Sequence, residues 1–277
     1  MHDEDPGPVV QRLILGERLR ALRETSGVSL DDANALLKWY RGKLSKIENG
    51  MLGLTERELA TLLDLYHLTD SETAQVKQLG VESRRRAAPE RVNDWAKQYV
   101  SLERAATQIR MVYNEIPGLL QTKECARAQL ARSPVVMAAD LDSMAAAREE
   151  RGNRLFRDAA PQVWVVLGEE ALLRRIGTAD AMKAQLQRLH TLAALPTVSL
   201  RIVPLDHGPQ AGLSCPFTLL WIERAKATIA YVETLTGADY VKSTAAYALA
   251  FDQAQSSAFS EDDTLKLINC RMAELDK

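Results

Sequence analysis

The sequence has few of the features that mark secreted, metal-binding or membrane proteins. Its 277 residues include only three cysteines, Cys125, Cys215 and Cys270, which are far apart and odd in number. Such spacing provides neither a disulfide framework nor a paired-cysteine metal site, so reduced thiols in a cytoplasmic protein are expected. No run approaches the roughly 18 apolar residues of a membrane span, and the acidic N-terminus lacks the apolar core of a signal peptide.

Neither sign of charge dominates the chain. The formal net charge is −2, with 35 basic and 37 acidic residues, so the protein is not a bulk polycation. Apolar residues make up 46% and charged residues 26%, which is normal for a soluble globular protein. Any affinity for nucleic acid must therefore come from the local placement of cations.

The first part of the chain is predicted to be all-helical. Residues 1–11 have the composition of a disordered acidic tail, and residues 12–82 show helical spacing of leucines between helix start and stop signals. Ser29 is a typical N-cap, while Thr55 and Thr69 are each followed three residues later by glutamate, the capping-box pattern. These signals predict five short helices and no strand.

The rest of the chain predicts a linker and then a mixed domain. Residues 83–94 are charged and interrupted by a proline, which indicates a domain boundary. Residues 95–277 combine helical segments with short apolar runs, so an α+β domain with a sheet of about five strands is expected. The candidate strands are QIRMVY (108–113), QVWVVL (162–167), VSLRIV (198–203), FTLLWI (217–222) and TIAYVE (228–233).

The segment KWYRGKLSKIENG, residues 38–50, is the stretch most informative about function. It places Lys38, Arg41, Lys43 and Lys46 within nine residues with no acid among them. A basic helix that follows a short helix and a tight turn is typical of a helix-turn-helix, whose side chains read base edges and neutralise phosphates. A solvated helix face is the alternative, but the surrounding five-helix pattern favours DNA binding.

Residues 12–68 resemble the Xre-type, lambda-repressor-like helix-turn-helix domain in its actinobacterial form. The resemblance is carried by LGERLRALRETSGVSL, KLSKIENG and LLDLY. It implies a partly buried ion pair between Arg23 at the end of the first helix and Glu48 at the end of the third. It also implies that Asn49 and the backbone amides near Ser29 contact phosphate. The residues implied to lie at or near the bases are Tyr40, Arg41, Gly42, Lys43, Ser45 and Lys46.

Arg41 and Lys46 are the expected readers of guanine within this set. The sequence departs from the family pattern at Asn34 and Lys38, where alanine and glycine are usual. A left-handed Lys38, facing the DNA backbone, would cost about 1 kcal/mol relative to glycine. Gly42 within the reading helix would cost about 1 kcal/mol relative to alanine. A slightly looser reading helix, with weak or narrow operator specificity, is the resulting hypothesis.

The second domain resembles the C-terminal domain of WhiJ-like actinobacterial regulators. The resemblance rests on IPGLLQT, WVVLGEEALLRR, MKAQLQRLHTLAALPTVSLRIVP, GLSCPFTLLW and YVETLTG. It implies an antitoxin-like regulator, often encoded beside a small BldB-like partner protein. Dimerisation, binding of the small partner and ligand sensing are the roles that the resemblance leaves open.

Candidate chemical sites in the second domain are few. Asp206, His207 and Cys215 lie within ten residues and fit either a nucleophile pair or half a metal site, although a loop between two strands is the favoured interpretation. No metal and no cofactor is expected. Aromatic and charged residues on the candidate strands either pack in the core or line a ligand pocket. These residues are Trp164, Arg201, Trp221, Tyr231 and Glu233.

These patterns predict a cytoplasmic transcriptional regulator rather than an enzyme. It would bind double-stranded DNA as a homodimer on a near-palindromic operator, because dimer symmetry presents two reading helices about 34 Å apart. The second domain would carry the dimer contact and respond to a small ligand or a small protein. The alternative is an antitoxin-like interaction module that binds a small BldB-like partner, with DNA binding serving autoregulation. No membrane interaction is expected.

Overall fold

A computed structural model provides the fold and describes residues 7–85 and 94–275. This part of the chain forms two compact units. The first contains the described residues before position 90 together with Gln98–Ala105 and Ile222–Ala227, and the second contains the others. The predicted fold class is confirmed, with helices in the first unit and an α+β arrangement in the second. Within these ranges no helix is both long enough and apolar enough to cross a membrane.

Five helices make up the N-terminal part of the first unit. Local signals in the sequence start three of them. The Ser29 hydroxyl accepts a backbone N–H bond from the first turn of the second helix, and Thr55 and Thr69 form the predicted capping boxes with Glu58 and Glu72. These side chains satisfy amide groups that a helix start leaves without an acceptor. The helices are α1 (Gly7–Thr25), α2 (Leu30–Leu36), α3 (Lys43–Glu48), α4 (Glu56–Tyr66) and α5 (Asp70–Ser83).

The expected N-terminal boundary differs from the structure. Helix α1 begins at Gly7, so the later residues of the expected 1–11 tail are helical. Pro8 is buried in the first turn of this helix. Proline is compatible with that position, because the amide of a first-turn residue has no partner within the helix. Residues 1–6, and residues 86–93 of the expected linker at 83–94, lie outside the described residues.

The first five helices of the first unit pack around a shared apolar cluster. Helix α3 approaches α1 closely, since a Cβ atom added to Gly16 would lie only 2.5 Å from the carbonyl oxygen of Glu48. A residue without a side chain is needed for such a backbone contact. The buried members of the cluster are Leu15, Leu19, Leu22, Ala33, Leu44, Ile47, Leu54, Leu59, Leu62, Leu63, Tyr66 and Val76.

The second unit is organised around one mixed sheet. Its strand order is β3-β2-β1-β4-β5-β6. Strands β1 and β2 pair in parallel, as do β2 and β3, whereas β4 runs antiparallel to β1 and β6 antiparallel to β5. The strands are β1 (Gln108–Tyr113), β2 (Gln162–Gly168), β3 (Val198–Val203), β4 (Phe217–Ile222), β5 (Ala227–Thr234) and β6 (Gly237–Val241).

The sheet has six strands rather than about five. The additional strand, β6, pairs with β5 across a two-residue turn formed by Leu235 and Thr236. Its sequence, GADYV, includes glycine, aspartate and alanine, which are depleted in strands. Local propensity therefore does not predict β6, and its pairing with β5 decides its conformation.

Helices cover the sheet on its face and along one edge. Helix α12 (Ala245–Ser257) packs on β1, β2 and β3 around Phe251. At the edge strand β3, the Thr264 hydroxyl accepts a hydrogen bond from the amide of Ile202, and the amide of Phe259 donates to the Ile202 carbonyl. These bonds occupy an edge that would otherwise be open to pairing. The helices after the first five are α6 (Asp94–Ala105), α7 (Lys123–Leu130), α8 (Leu141–Asn153), α9 (Glu170–Leu173), α10 (Ala179–Ala193), α11 (Ala211–Ser214), α12 (Ala245–Ser257) and α13 (Glu261–Glu274).

Candidate nucleic-acid interface

The basic segment is divided between a turn and a helix. Lys38 follows α2 with a left-handed φ of 53°, as expected from its position in place of a glycine. Gly42 is the residue before α3 and has a φ of 84°, so the expectation that it lies inside the reading helix is wrong. No helix-interior cost applies to it. Glycine suits this position because it adopts the left-handed region without strain.

Three cations of the segment are exposed and project from the turn and from α3. Lys38, Arg41 and Lys46 form no ion pair within 4 Å among the described residues. The Lys46 Nζ atom lies 5.6 Å from the centroid of the Tyr40 ring, which is itself 55% exposed. These four side chains are available to phosphates and base edges.

Lys43 is held by the protein itself. Its Nζ atom donates to Glu58 Oε1 on α4 and lies 4.4 Å from the centroid of the Trp39 ring. The expected placement of Lys43 at the bases is therefore corrected, because its ammonium group already has a carboxylate partner. Its role is to tie the start of α3 to α4.

A second polar connection ties the end of α3 to α1. Arg20 Nη2 donates to Asn49 Oδ1 at 2.8 Å, and Asn49 Nδ2 lies 3.4 Å from Ser45 Oγ. Arg20 Nε also lies 3.7 Å from a carboxylate oxygen of Glu48. Ser45 and Asn49, two of the implied DNA contacts, are thus oriented by a residue of α1 that the sequence did not single out.

The start of α2 is a poor place for the implied phosphate contact. The Ser29 hydroxyl accepts the amide of Asp32 at 3.1 Å and donates to its carboxylate at 2.6 Å. The adjacent Asp31 adds a second carboxylate in the first turn. Two negative charges there oppose the approach of a phosphate, and Ser29 acts as a helix cap.

The implied ion pair between Arg23 and Glu48 is present and bidentate. Arg23 Nε donates to Glu48 Oε1 at 2.7 Å, and Arg23 Nη2 donates to Oε2 at 3.1 Å. Arg23 and Glu48 are 8% and 2% exposed. Arg23 Nη1 reaches the Val28 carbonyl at 3.1 Å, and the hydrogen bond to Glu48 raises the pKa of the guanidinium. This geometry locks the end of α3 to α1.

Asn34, which departs from the family pattern, caps the reading helix from outside. Its Oδ1 atom accepts a hydrogen bond from the amide of Leu44 at 3.1 Å, and its Nδ2 atom donates to the Leu30 carbonyl at 2.8 Å. Asn34 is 5% exposed. Gly42 has no side chain with which to cap α3, so Asn34 supplies the acceptor from α2. The sequence marked Asn34 only as a departure from the alanine usual in the family, and no local pattern indicates its partner ten residues away.

Two matches to known families cover most of the chain. One, described as a helix-turn-helix domain, spans residues 14–76 and thus includes every residue of the interface above. The other, described as "Domain of unknown function (DUF5753)", spans residues 96–269, more than half of the chain. The chain belongs to the DUF5753 family. No curated protein and no solved structure matches it.

The helix-turn-helix match supports a DNA-binding regulator. The unit that this match covers carries three exposed cations, Lys38 and Arg41 in the turn before α3 and Lys46 on α3, which form no ion pair among the described residues.

The contact between Lys43 and Glu58 gives a pH-dependent prediction for this DUF5753 protein. The Lys43 ammonium, followed by the Thr55 amide, lowers the pKa of Glu58 from 4.5 to about 2. A carboxyl group with a lowered folded-state pKa stabilises the fold above its ordinary pKa, and this contribution disappears as the pH falls from 4.5 through 2. We expect a double-mutant cycle of Lys43→Met and Glu58→Gln to give a coupling energy of about 1 kcal/mol at neutral pH.

The same cycle at low pH provides the control for this prediction. Urea unfolding at pH 7, 4 and 2 should show a coupling energy that declines toward zero once Glu58 is protonated. A coupling energy that does not change over this range would mean that the pair acts through packing rather than charge.

Three of the five ligand candidates in the second unit share one face of the sheet. They lie on the face that carries the apolar cluster under α12. Trp164 and Trp221 are each two residues along their strand from a cluster member, and Arg201 pairs with the cluster member Val166 on β2. The guanidinium of Arg110 lies 5.5 Å from the ring centroids of both Trp164 and Phe251. Core packing accounts for Trp164.

The other two candidates lie on the opposite face. Val232 packs with the cluster under α12, so Tyr231 and Glu233, its neighbours along β5, point the other way. The five residues therefore lie on both faces of the sheet and do not line one pocket together. Alternation within one strand shows which of its residues share a face, but only the pairing of strands shows which face of one strand continues into which face of the next.

The loop with Asp206, His207 and Cys215 is an exposed connection between β3 and β4. Asp206 and His207 lie in a 3-10 turn, and Cys215 follows α11. In the described part of the chain, no hydrogen bond joins the His207 and Cys215 side chains, and no three His, Cys, Asp or Glu residues are grouped to hold a metal ion.

Proposed function

We propose that this protein is a cytoplasmic, sequence-specific transcriptional regulator that binds DNA as a homodimer and is not an enzyme. The observation that carries this proposal is the trio of exposed cations, Lys38, Arg41 and Lys46, on a helix-turn-helix domain. Unpaired cations beside a short helix suit contact with phosphates and with the acceptors of guanine.

The way α3 is anchored supports reading of bases rather than loose attraction to phosphate. The helix is tied to α1 through Glu48, to α2 through Asn34 and to α4 through Lys43. Base readout requires side chains on a rigid element, since discrimination depends on hydrogen-bond geometry. Arg41 is the favoured guanine reader because its planar guanidinium has no ion-pair partner in the described part of the chain and can donate to two acceptors.

A homodimer would place two copies of α3 about 34 Å apart, in successive major grooves of one face of the duplex. The operator would then be near-palindromic. The DUF5753 unit would carry the dimer contact and receive a signal that changes the population of the DNA-competent form. A strictly monomeric mass in solution and on DNA would contradict this part of the proposal.

The proposal is tested by binding to DNA upstream of the protein's own gene, measured by fluorescence anisotropy across a salt series. Arg41→Ala and Lys46→Ala are each expected to weaken binding by about 1–3 kcal/mol, or roughly 5- to 150-fold. Their salt dependence should also become shallower, because each variant releases fewer counterions.

Lys77→Ala is the matched control, since it removes one exposed positive charge from α5 of the same unit. Its effect on affinity should be less than about twofold. Equal losses in Lys77→Ala and Arg41→Ala would indicate attraction by net charge and not by α3. Absence of binding at low salt would show that the DNA upstream of the protein's own gene does not contain its operator.

An antitoxin-like interaction module is the second candidate, with DNA binding serving autoregulation. Large apolar side chains exposed on the second unit favour it, among them Leu235 at 71% and Leu249 at 59% exposure. A small BldB-like protein encoded next to this chain would be the partner. Co-expression of the two proteins, followed by co-purification at fixed stoichiometry, would support this role, and separate elution would count against it.

A further inference from the structure

Two fully buried glutamines hold the segment between β1 and α7 in place. Gln185 on α10 accepts the amide of Thr122 at 2.7 Å and donates to the Leu120 carbonyl at 2.9 Å. Gln121 donates to the Ile116 carbonyl at 2.8 Å. Both glutamine side chains are 0% exposed. Buried amides with satisfied hydrogen bonds make this segment rigid.

Helix α8 contacts this segment backbone to backbone. A Cβ atom added to Gly152 would lie 2.4 Å from the carbonyl oxygen of Leu119, so no other residue fits there without movement. One turn earlier on the same helix, the side chain of Arg148 passes over Gly118, where an added Cβ would be 3.3 Å from Arg148 Cδ. The fold thus positions one arginine against a rigid loop.

The charge of Arg148 has only neutral acceptors around it. Its Nη1 atom donates to Gln121 Oε1 at 2.9 Å and to Gln129 Oε1 at 3.0 Å. No carboxylate lies within 4 Å of Arg148 among the described residues. The nearby Glu115 instead accepts from Gln129 Nε2 and pairs with Arg174. Burial lowers the pKa of Arg148 and the charge of Arg151 acts in the same direction, whereas Glu233 raises it.

The other N–H groups of the Arg148 guanidinium are available to bind a ligand. Its Nε and Nη2 atoms donate to no acceptor in the described residues, and neither is a fully enclosed atom. This edge of the guanidinium presents two parallel N–H groups, which match two oxygens of a carboxylate or phosphate.

Residues of β5 lie near the same charge. Tyr231 and Glu233 both act electrostatically on Arg148. Tyr231 is 3% exposed, and its ring centroid lies 5.5 Å from that of Tyr240 on β6. Glu233 has exposed surface, so solvent reaches this side. Desolvation raises the pKa of Glu233, while Arg148 and Tyr231 act in the opposite direction. No hydrogen bond joins Glu233 to Arg148 among the described residues, so the guanidinium edge stays open to an added anion.

We propose that Arg148, held by Gln121 and Gln129 and bordered by Tyr231, binds the oxyanion of a small carboxylate or phosphate compound. This inference rests on the proposed function only in assigning that compound the role of the regulatory signal. A partly buried arginine whose hydrogen-bond acceptors are neutral gains more from an incoming anion than an exposed arginine does, because the anion replaces lost hydration.

The experiment measures the melting temperature of the full chain in the double variant Arg41→Ala/Lys46→Ala, in which the DNA-facing cations are removed. Inorganic phosphate and benzoate are added separately, each against chloride at constant ionic strength. Either anion at about ten times its dissociation constant should raise the melting temperature by roughly 3 °C. The anion that acts at lower concentration identifies the source as a phosphate or a carboxylate.

Arg148→Lys and Arg148→Gln are then compared with Arg127→Gln, which removes an exposed arginine of α7 that pairs with Asp142. We expect the anion response to weaken about tenfold in Arg148→Lys and to disappear in Arg148→Gln, and to be unchanged in Arg127→Gln. Arg148→Lys retains the charge and tests the site if the glutamine variant does not fold.

Two outcomes would overturn the site. One is a melting temperature that responds to phosphate and benzoate no more than to chloride, and the other is an unchanged response in Arg148→Lys. DNA affinity of Arg148→Lys, measured without added anion and with Arg41 and Lys46 intact, should equal that of the wild type. If the wild type binds DNA normally but the double variant with Arg148 intact shows no anion response, the site is rejected and the proposed regulator is left intact.

Discussion

Replacement of Glu48 by alanine is expected to lower the free energy of unfolding by about 3–5 kcal/mol. The change removes both Glu48 carboxylate oxygens from Arg23, which is 8% exposed, and leaves its guanidinium with the Val28 carbonyl and a longer contact of 3.5 Å to the exposed Glu24. A buried charge that loses its main partner is among the costliest single defects in a protein. Since Glu48 is also the last residue of α3, the same variant should lose DNA affinity along with stability.

Urea unfolding of the full chain measures this effect, with Asp64→Ala as the control that removes an exposed acid from the same unit. Asp64→Ala should change the free energy of unfolding by no more than about 0.5 kcal/mol. The double variant Arg23→Leu/Glu48→Leu should be more stable than Glu48→Ala, because it leaves no buried charge without a partner. A Glu48→Ala protein as stable as Asp64→Ala would refute the stabilising role of the pair.

The second large effect is expected for Asn34→Ala, at about 1–3 kcal/mol. The variant leaves the amide of Leu44, a fully buried residue in the first turn of α3, without its acceptor. Gly42 cannot take over, because it has no side chain. The first turn of α3 should therefore fray, and affinity for DNA should fall because Arg41 and Lys46 flank that turn.

Amide hydrogen exchange at Leu44 reports this effect directly. We expect faster exchange at Leu44 in Asn34→Ala and unchanged exchange in Leu36→Ala, which truncates a residue of the same helix that is 64% exposed. Unaltered protection of Leu44 in Asn34→Ala would show that the amide finds another acceptor and that the cap is dispensable.

These two predictions change the interpretation of the departures from the helix-turn-helix pattern. Asn34 and Gly42 were expected to loosen the reading helix, the first as an irregular residue and the second as a helix breaker. In the structure Gly42 precedes the helix and Asn34 caps it, so the two residues act together. The hypothesis of weak operator specificity loses those reasons, and only the left-handed Lys38 remains as a source of strain.

Sequence reasoning about the interface succeeded where the relevant signal was local. The capping boxes at Thr55 and Thr69 and the N-cap at Ser29 depend on residues three positions apart, and all are present. The pair of Arg23 and Glu48 was implied by the family resemblance, not by spacing. Lys43 was misplaced because its partner, Glu58, belongs to another helix, and no local rule distinguishes a cation that faces DNA from one that faces α4.

The sequence by itself determined that the protein has a helical unit followed by an α+β unit, because apolar periodicity and caps are properties of short segments. It also determined where the cations are concentrated. Only the tertiary structure decided which cations are free, which sheet face carries each candidate ligand residue, and that β6 exists. Those features depend on hydrogen bonds and charges between residues distant in the chain, and a one-dimensional pattern contains neither.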